Sequence, residues 1–343
     1  MKLVFIYILI LTNINAYTIN TSGKLVYFLS EMQIKDKSDN INLISSQINN
    51  DIYYDDIYFE SAITAYAYES KSGNRIYNCS IGEAFEKFDI SLRSFYISKR
   101  LENISFGLGI VPLSQASYTK YSSNMVKQGD GLSILHNIDL LSLYYKTYND
   151  KGSFNVVFSK DYDWVPTNLY TPKTERNSTY MFFINEYNNV ITEFVYNRHN
   201  DKKLNLIGIG YSKCINSTNL YGSFGYSKTT IEKSYYGSAI ELGIRRDFDI
   251  GFRDSFINFE FFKTFNDWNS LNKGSLIENN YNTIFNNKES YISTVGINVN
   301  KDLLISIDFS HSETLKNSSN FIRLNNEDGY NLDIIKLKVN YSF

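Results

Sequence analysis

The last nine residues of the chain alternate strictly between apolar and polar side chains, and this pattern constrains the fold more than any other feature. One face carries Ile335, Leu337, Val339, Tyr341 and Phe343, and the other carries Lys336, Lys338, Asn340 and Ser342. A period of two predicts a β-strand. The length suits a strand that crosses a bilayer at a tilt, apolar toward lipid and polar toward a lumen. An edge strand of a soluble sandwich has the same pattern, so the rest of the chain must decide.

The same alternation recurs upstream in short segments. Residues 291–299 and 303–310 alternate on either side of a tight turn at 300–302, which predicts a hairpin. The other strand-like segments are 57–68, 89–98, 104–110, 140–147, 154–159, 179–186, 190–197, 206–211, 240–245 and 257–262. None of them has a helical period of useful length. We therefore expect an all-β chain.

The connections between these segments alternate between a short and a longer or more polar class. The short ones are 100–103, 149–152, 187–189, 213–218, 246–253 and 300–302, and the longer ones are 69–88, 112–137, 160–177, 198–203, 229–235, 266–289 and 312–331. In outer-membrane barrels short turns face the periplasm and long loops face the outside. The alternation predicts a single antiparallel up-and-down β-barrel with its C-terminus in the periplasm.

The number of strands depends on the first part of the chain. If residues 24–32 and 42–48 pair as two strands, the barrel has 16 strands; if 24–32 stays outside the barrel wall, it has 14. We favour 16, because about 20 residues per strand is ordinary for a strand of 9 to 11 residues plus its share of two connections.

The N-terminus has the features of an export signal. Lys2 precedes an apolar run at residues 3–11, and the small residue Ala16 offers a cleavage site, although Ile14 is larger than the residue usually preferred there. No later stretch approaches the roughly 18 consecutive apolar residues of a spanning helix. We predict a signal peptide at residues 1–16 and one barrel domain at 17–343.

The signal, the alternating hairpins and the terminal Phe343 together resemble Gram-negative outer-membrane proteins of the porin type. The resemblance implies a barrel in the outer membrane, in contact with outer-membrane lipid and lipopolysaccharide, through which small hydrophilic solutes diffuse. It also implies an assembly that is often a homotrimer. In such proteins the aromatic ending, here Tyr341 and Phe343, acts as the signal for the barrel-assembly machinery.

Strand parity predicts which charged residues line the pore. The inferred inner faces hold Glu60, Arg93, Lys146, Glu193, Glu241, Arg245, Glu260, Asp308, Lys336 and Lys338. The two signs balance, which predicts weak ion selectivity or a transverse field of acids opposite bases. The segment 107–114 leads into a long loop that either narrows the pore or lies over the rim. In the first case Lys120, Lys127 and Asp130 are candidate lining residues.

Other functional classes have less support in the sequence. With 34 Lys and Arg against 36 Asp and Glu, the chain lacks the basic excess of a nucleic-acid partner. His136, His199 and His311 form no metal-ligand or catalytic spacing, so we expect neither a cofactor nor an enzyme. Two alternatives remain. One is an adhesin or structural outer-membrane protein that uses Tyr- and Asn-rich loops such as 279–287 as a binding surface, and the other is a substrate-specific outer-membrane transporter.

Overall fold

A computed structural model describes residues 18–34, 37–70, 86–110, 140–161, 178–199, 202–230, 232–251, 253–266, 268, 288–314 and 331–343. These residues form sixteen strands. The strands are β1 (Thr18–Ile34), β2 (Lys37–Tyr54), β3 (Ile57–Ser70), β4 (Glu86–Leu101), β5 (Ile104–Ile110), β6 (Leu140–Asn149), β7 (Gly152–Asp161), β8 (Ser178–Tyr187), β9 (Val190–His199), β10 (Lys202–Ile215), β11 (Thr218–Thr230), β12 (Ser234–Ile250), β13 (Arg253–Asn266), β14 (Lys288–Asn298), β15 (Leu303–Thr314) and β16 (Asn331–Ser342).

Each strand pairs with its neighbours in sequence, and β1 pairs with β16 to close the barrel. All these pairs are antiparallel. The prediction of an up-and-down barrel with 16 strands is confirmed, and the alternative of 14 is wrong. The doubtful second strand exists as β2 and is longer than the predicted 42–48, because it pairs along its whole length with β1 and β3.

Both described ends of the chain and the tight turns lie at one end of the barrel. Gly23 and Phe343 exchange two backbone hydrogen bonds, of 2.8 and 3.0 Å, where β1 meets the C-terminus. The tight turns contain Asp55, Glu102, Asn188 and Asn216 at positive φ. Asp and Asn adopt this backbone conformation more readily than most residues. This short-turn end is the periplasmic end in barrels of this type.

The strands that flank the longest connections, 71–85, 111–139, 162–177, 267–287 and 315–330, terminate at the opposite end of the barrel. Three connections at that end are nevertheless short, namely 35–36, 200–201 and 231–233. The segments 198–203 and 229–235, predicted as longer or more polar connections, are polar but consist in part of strand, so their predicted extent is wrong. Polar residues such as Lys203 and Thr229 continue the ladder between β10 and β11, because a strand that extends above the apolar belt tolerates polar side chains on both faces.

The two faces of the barrel wall differ in chemistry. Outward side chains are apolar and exposed, as in Ile207 at 55%, Leu242 at 53% and Ile335 at 51%. Inward positions on the same strands mix polar, small and apolar side chains: Glu241 is fully buried there, and so are Leu206 and Ile334, at 0% and 2% exposure. Residues 1–17 and the predicted cleavage site lie outside the described residues. No helix in the described part of the chain has the length and apolar character needed to cross a membrane.

Candidate functional site

The candidate site is the inward face of the barrel, where polar side chains from adjacent strands meet. Strand alternation places them there: Leu242 and Phe259 point outward at 53% and 47% exposure, so Glu241 and Glu260 point inward. Both carboxylates are buried, at 0% and 5% exposure. A buried carboxylate is stable only with hydrogen-bond donors or opposite charges nearby, so its neighbours define the chemistry of the site.

The first group of inward residues lies on β11, β12 and β13, and we call it the Tyr221 cluster. The Tyr221 hydroxyl lies 2.9 Å from Asn258 Oδ1 and 3.1 Å from Glu260 Oε2. Ser223 donates to Glu241 Oε2 at 2.7 Å. Hydroxyl groups thus supply hydrogen bonds to both carboxylates.

Gly243 makes room for the Tyr221 ring. A Cβ atom at this position would lie 2.1 Å from Cζ of the ring, well inside any permitted contact. The ring therefore lies flat against the backbone of β12, which brings its hydroxyl to β13. A larger residue at position 243 would force the ring toward the barrel axis.

The second group lies on β2, β3 and β4 near the short-turn end, and we call it the Tyr58 cluster. The Tyr58 hydroxyl lies 2.9 Å from Asp51 Oδ1 and 2.8 Å from Glu60 Oε2, and the Tyr96 hydroxyl lies 2.8 Å from the same Glu60 oxygen. Tyr58 has a single hydroxyl proton for two carboxylates. The Tyr58 hydroxyl can donate that proton to only one of the two carboxylates. The other contact is a hydrogen bond only if the second carboxyl group is itself protonated and donates to the Tyr58 oxygen.

The rings of this cluster form a short aromatic track along the inward face. The Tyr53 and Tyr58 centroids are 4.9 Å apart, and those of Tyr58 and Tyr96 are 5.7 Å apart. These distances are typical of favourable aromatic pairs. Tyr53 is 42% exposed and Tyr96 only 4%, so the track runs from an open edge into the barrel wall. The two clusters are centred on β3 and β12, which lie on nearly opposite sides of the ring of strands.

Basic residues of the inward face lie on β16 and on β12, where Arg245 is closer to the short-turn end than Glu241. Lys336 and Lys338 lie on β16, and Lys336 is only 5% exposed. On β12, Arg245 donates from Nε to Asp247 Oδ1 at 2.8 Å, and its guanidinium lies 3.8 Å from the centroid of the Phe256 ring. This stack borders a cavity of about 630 Å³ at the short-turn end, also lined by Asn298.

Nine of the predicted lining residues fall on the inward face by strand alternation. They are Glu60, Lys146, Glu193, Glu241, Arg245, Glu260, Asp308, Lys336 and Lys338. Arg93 differs, because the register between β3 and β4 shifts beside it: Ala62 pairs with Ser94 and Ile63 with Leu92. Simple alternation cannot assign Arg93 to a face at such a bulge. Lys120, Lys127 and Asp130 lie outside the described residues.

Sequence reasoning missed the tyrosines and Asp51. Tyr58, Tyr96 and Tyr221 were given no role, and Tyr221 lies in none of the strand segments predicted from the sequence, although a buried tyrosine normally finds a hydrogen-bond partner for its hydroxyl. Asp51 was missed because the predicted second strand ended at residue 48. The alternation of Ile48 and Ile52 with Asn49 and Asp51 was the available signal.

Among the described residues, no group of His, Cys, Asp and Glu could hold a metal ion. His311 lies on the outward face, where Nδ1 is 2.6 Å from Asp333 Oδ1 and Nε2 is 3.5 Å from Glu313 Oε1. His136 falls outside the described residues.

Comparison with known proteins identifies the fold. No protein-family profile and no curated protein sequence matches the chain. Among solved structures, a loop L8 deletion mutant of OmpT, an outer membrane protein of Vibrio cholerae, is similar, with a TM-score of 0.58 and 8% identity over 96% of this chain and 100% of that one. The trimer form of in-vitro folded OmpT from the same organism has a TM-score of 0.56, with 10% identity over 96% of this chain and 100% of that one.

A third similar structure is an anion-selective porin from Comamonas acidovorans, with a TM-score of 0.54 and 12% identity over 96% of this chain and 100% of that one. The fold is thus that of a porin-type barrel, in agreement with the closed ring of 16 strands. With its apolar outward face, the protein is an outer-membrane β-barrel.

Proposed function

We propose that the protein is a passive channel for small hydrophilic solutes and ions. The observation that supports this most directly is the polar, charged inward face of a closed barrel of 16 strands. Barrels of this size enclose an aqueous lumen, whereas barrels of eight strands are filled by their own side chains. The proposed lining residues are the nine inward charges named above. Lys120, Lys127 and Asp130 remain predictions for a constricting loop.

The charge distribution supports weak ion selectivity. The inward face carries the acids Asp51, Glu60, Glu193, Glu241, Glu260 and Asp308 and the bases Lys146, Arg245, Lys336 and Lys338. Several of the acids already accept hydrogen bonds from hydroxyl groups. A ring of one sign would favour one class of ion. Here the signs are mixed around the ring, so neither class is strongly excluded.

Liposome swelling tests this proposal with neutral solutes. The refolded chain is placed in liposomes and exposed to sugars of rising size, with liposomes lacking protein as the control. Swelling rates that fall steadily with sugar size, and do not saturate with concentration, are expected of a passive channel. Liposomes that contain folded barrel but do not swell in any sugar would contradict it.

A substrate-specific transporter is a second candidate, favoured by the Tyr58 cluster. Tilted and edge-to-face tyrosine rings beside carboxylates offer aromatic surface and hydrogen-bond acceptors, which suit sugars or organic cations. In the same swelling assay, this candidate predicts that the swelling rate for one solute saturates with its concentration. The Tyr58→Ala variant should lower that rate to the rate of other solutes of the same size. Equal behaviour of all solutes of one size would contradict it.

Several further parts of the account are proposals about the protein in the cell. We propose that residues 1–16 are removed on export and that the barrel-assembly machinery recognises Tyr341 and Phe343. The exposure of the Phe343 side chain, at 58%, is compatible with such recognition. We also propose a homotrimer, supported by the trimer form of the similar OmpT.

A further inference from the structure

Two tilted tyrosine rings form the accessible edge of the Tyr58 cluster. The ring centroids of Tyr53 and Tyr58 lie 4.9 Å apart with an angle of 43° between the ring planes, and Tyr53 is 42% exposed. The two residues are register partners on β2 and β3, next to the turn that joins these strands. Exposed aromatic surface therefore borders the lumen at the short-turn end.

Two carboxylates lie beside these rings. Asp51 and Glu60 are register partners on the same two strands, so like charges stand directly opposite each other, which destabilises a sheet. The Tyr58 hydroxyl lies between them, 2.9 Å from Asp51 Oδ1 and 2.8 Å from Glu60 Oε2, but it has only one proton to donate. A ligand that brought positive charge and further donors would stabilise this pair.

The hydrogen-bond donors around the cluster are already engaged with the protein itself. The Tyr96 hydroxyl donates to Glu60, and on the same face of β2 the Gln47 amide donates to Asn49. Asp51 Oδ2, in contrast, receives no hydrogen bond from the residues that the structure describes. The cluster thus offers acceptors rather than donors. This favours a ligand that carries N–H groups over a sugar, whose hydroxyl groups both donate and accept.

Two basic residues occupy inward positions of the flanking strands. Lys24 on β1 lies four residues from Asn20, the register partner of Asp51, and Arg100 on β4 lies four residues from Tyr96. Four residues of a strand span about 13 Å. The backbone of each base is therefore far from the position beside the Asp51 carboxylate that a bound cation would occupy.

The Tyr58 cluster differs in accessibility from the Tyr221 cluster across the barrel. Glu241 and Glu260 are covered almost completely, at 0% and 5% exposure. Asp51 and Glu60 are only half-buried. Tyrosines beside carboxylates therefore form a closed group on β11 to β13 and an open one on β2 to β4, and a solute in the lumen can reach the open one.

We propose that the Tyr58 cluster binds a small organic cation with a primary ammonium group. The ammonium donates to Asp51 Oδ2 and contacts the rings of Tyr53 and Tyr58, where cations are attracted by the aromatic faces. Its charge offsets the repulsion between Asp51 and Glu60. The inference rests on the proposed channel, because the solute reaches the cluster through the lumen, and it gives that channel a substrate class.

The test measures binding of ethylammonium to the refolded full chain. Barrels in uncharged detergent micelles at constant ionic strength are titrated with ethylammonium, and binding is followed by saturation-transfer NMR. Ethanol is the neutral probe of similar size, and micelles without protein are the blank. The test variant is Asp51→Asn. Asp249→Asn is the matched control, because Asp249 is an exposed acid at the same end of the barrel, on β12 across the ring of strands.

The expected result is a loss of affinity for ethylammonium of about tenfold in Asp51→Asn, and a change of less than about twofold in the control. Tyr53→Leu removes an exposed ring and should weaken binding between about twofold and fivefold. This second variant also tests the site if Asp51→Asn does not fold.

Several outcomes would overturn the proposal. They are unchanged affinity in Asp51→Asn or Tyr53→Leu, an equal loss in Asp249→Asn, and binding of ethanol as tight as that of ethylammonium. Displacement of ethylammonium by calcium at an equal concentration would overturn the organic class by showing a site for inorganic cations.

The micelle experiment distinguishes this proposal from the channel proposal, because binding in micelles does not require conduction. Liposome swelling without ethylammonium binding would remove the cation site and leave the channel. Ethylammonium binding without swelling in any sugar would remove the channel and leave the binding site.

Discussion

The outward and inward faces of a single strand reverse the usual distribution of polar and apolar side chains. On β12, Leu242 is 53% exposed on the outward face, while its neighbour Glu241 is fully buried on the inward face. Exposed apolar surface of this extent on a soluble protein would aggregate, so the outward face requires lipid. The buried acid is stable because Ser223 donates a hydrogen bond to it. A single alternating strand therefore has one face suited to lipid and one face suited to the polar interior of the barrel.

The largest loss of stability is expected from a charged side chain placed at mid-strand on the outward face. Leu337→Arg should reduce the free energy of unfolding in lipid by about 2 to 4 kcal/mol, because the guanidinium would face hydrocarbon. Urea titration of the barrel in phosphatidylcholine bilayers measures the loss. Lys338→Arg on the adjacent inward position is the control and should change stability by less than about 0.5 kcal/mol. Equal, near-neutral effects of both changes would show that the assignment of faces is wrong.

Two glycines that lie against aromatic rings give the next largest effect. In both Gly23 and Gly243 an added Cβ would lie 2.1 Å from a ring carbon, of Phe343 and Tyr221 respectively. Tyr221 is held by Asn258 and Glu260, whereas Phe343 is the exposed final residue. Gly243→Ala should therefore cost about 1 to 3 kcal/mol.

Gly23→Ala is the matched control for that experiment. The Phe343 ring can swing away, so the cost should be smaller than at position 243 in the same urea titration. The combination Gly243→Ala with Tyr221→Leu should recover part of the loss, because the clash is removed. A larger cost at Gly23 than at Gly243 would contradict the argument from ring mobility.

A smaller effect is expected from the shared hydroxyl of the Tyr58 cluster. Tyr58→Phe removes the donor that lies between Asp51 and Glu60 and should cost about 0.5 to 1.5 kcal/mol at neutral pH. Tyr54→Phe, which removes an exposed hydroxyl from the outward face of the neighbouring strand β2, serves as the control, with little change expected. If Tyr58→Phe were at least as stable as wild type, the hydroxyl would not be a net stabilising donor to the two carboxylates.

The smallest effect on stability, and a direct effect on conduction, is expected from a charge reversal on the inward face. Lys338→Glu should shift the reversal potential in a salt gradient toward cation preference, because it adds negative charge to the lumen. Lys213→Glu makes the same change on the outward face. An equal shift of the reversal potential in both variants would mean that the side chain at position 338 is no closer to the permeating ions than the side chain at position 213.

Much of the fold could be predicted from the sequence because strand alternation and turn residues are local. The outward rows ending in Tyr341 and Phe343, and those containing Ile207 and Leu242, follow from a period of two. The polar strand ends were harder to place. Lys203 and Thr229 were assigned to loops, although they pair within the β10–β11 ladder, because polarity alone cannot separate a loop from a strand in water.

The candidate site was less predictable because its contacts join strands that are distant in sequence. Glu60 was placed on the inward face by parity, but its contact with Tyr96 depends on the register of β3 and β4. That register contains a bulge beside Arg93, and no local pattern in the sequence marks it. The Tyr221 contact with Glu260 spans three strands and depends on the space that Gly243 leaves.

The most direct test of the channel is the current through single barrels. The refolded chain is added to a planar phosphatidylcholine bilayer in symmetric salt, and folding is checked independently by the mobility shift on heating. The account predicts steady ohmic steps of uniform size that persist at both signs of applied voltage. A bilayer that contains folded barrels but shows no steps would contradict an open lumen and with it the proposed function.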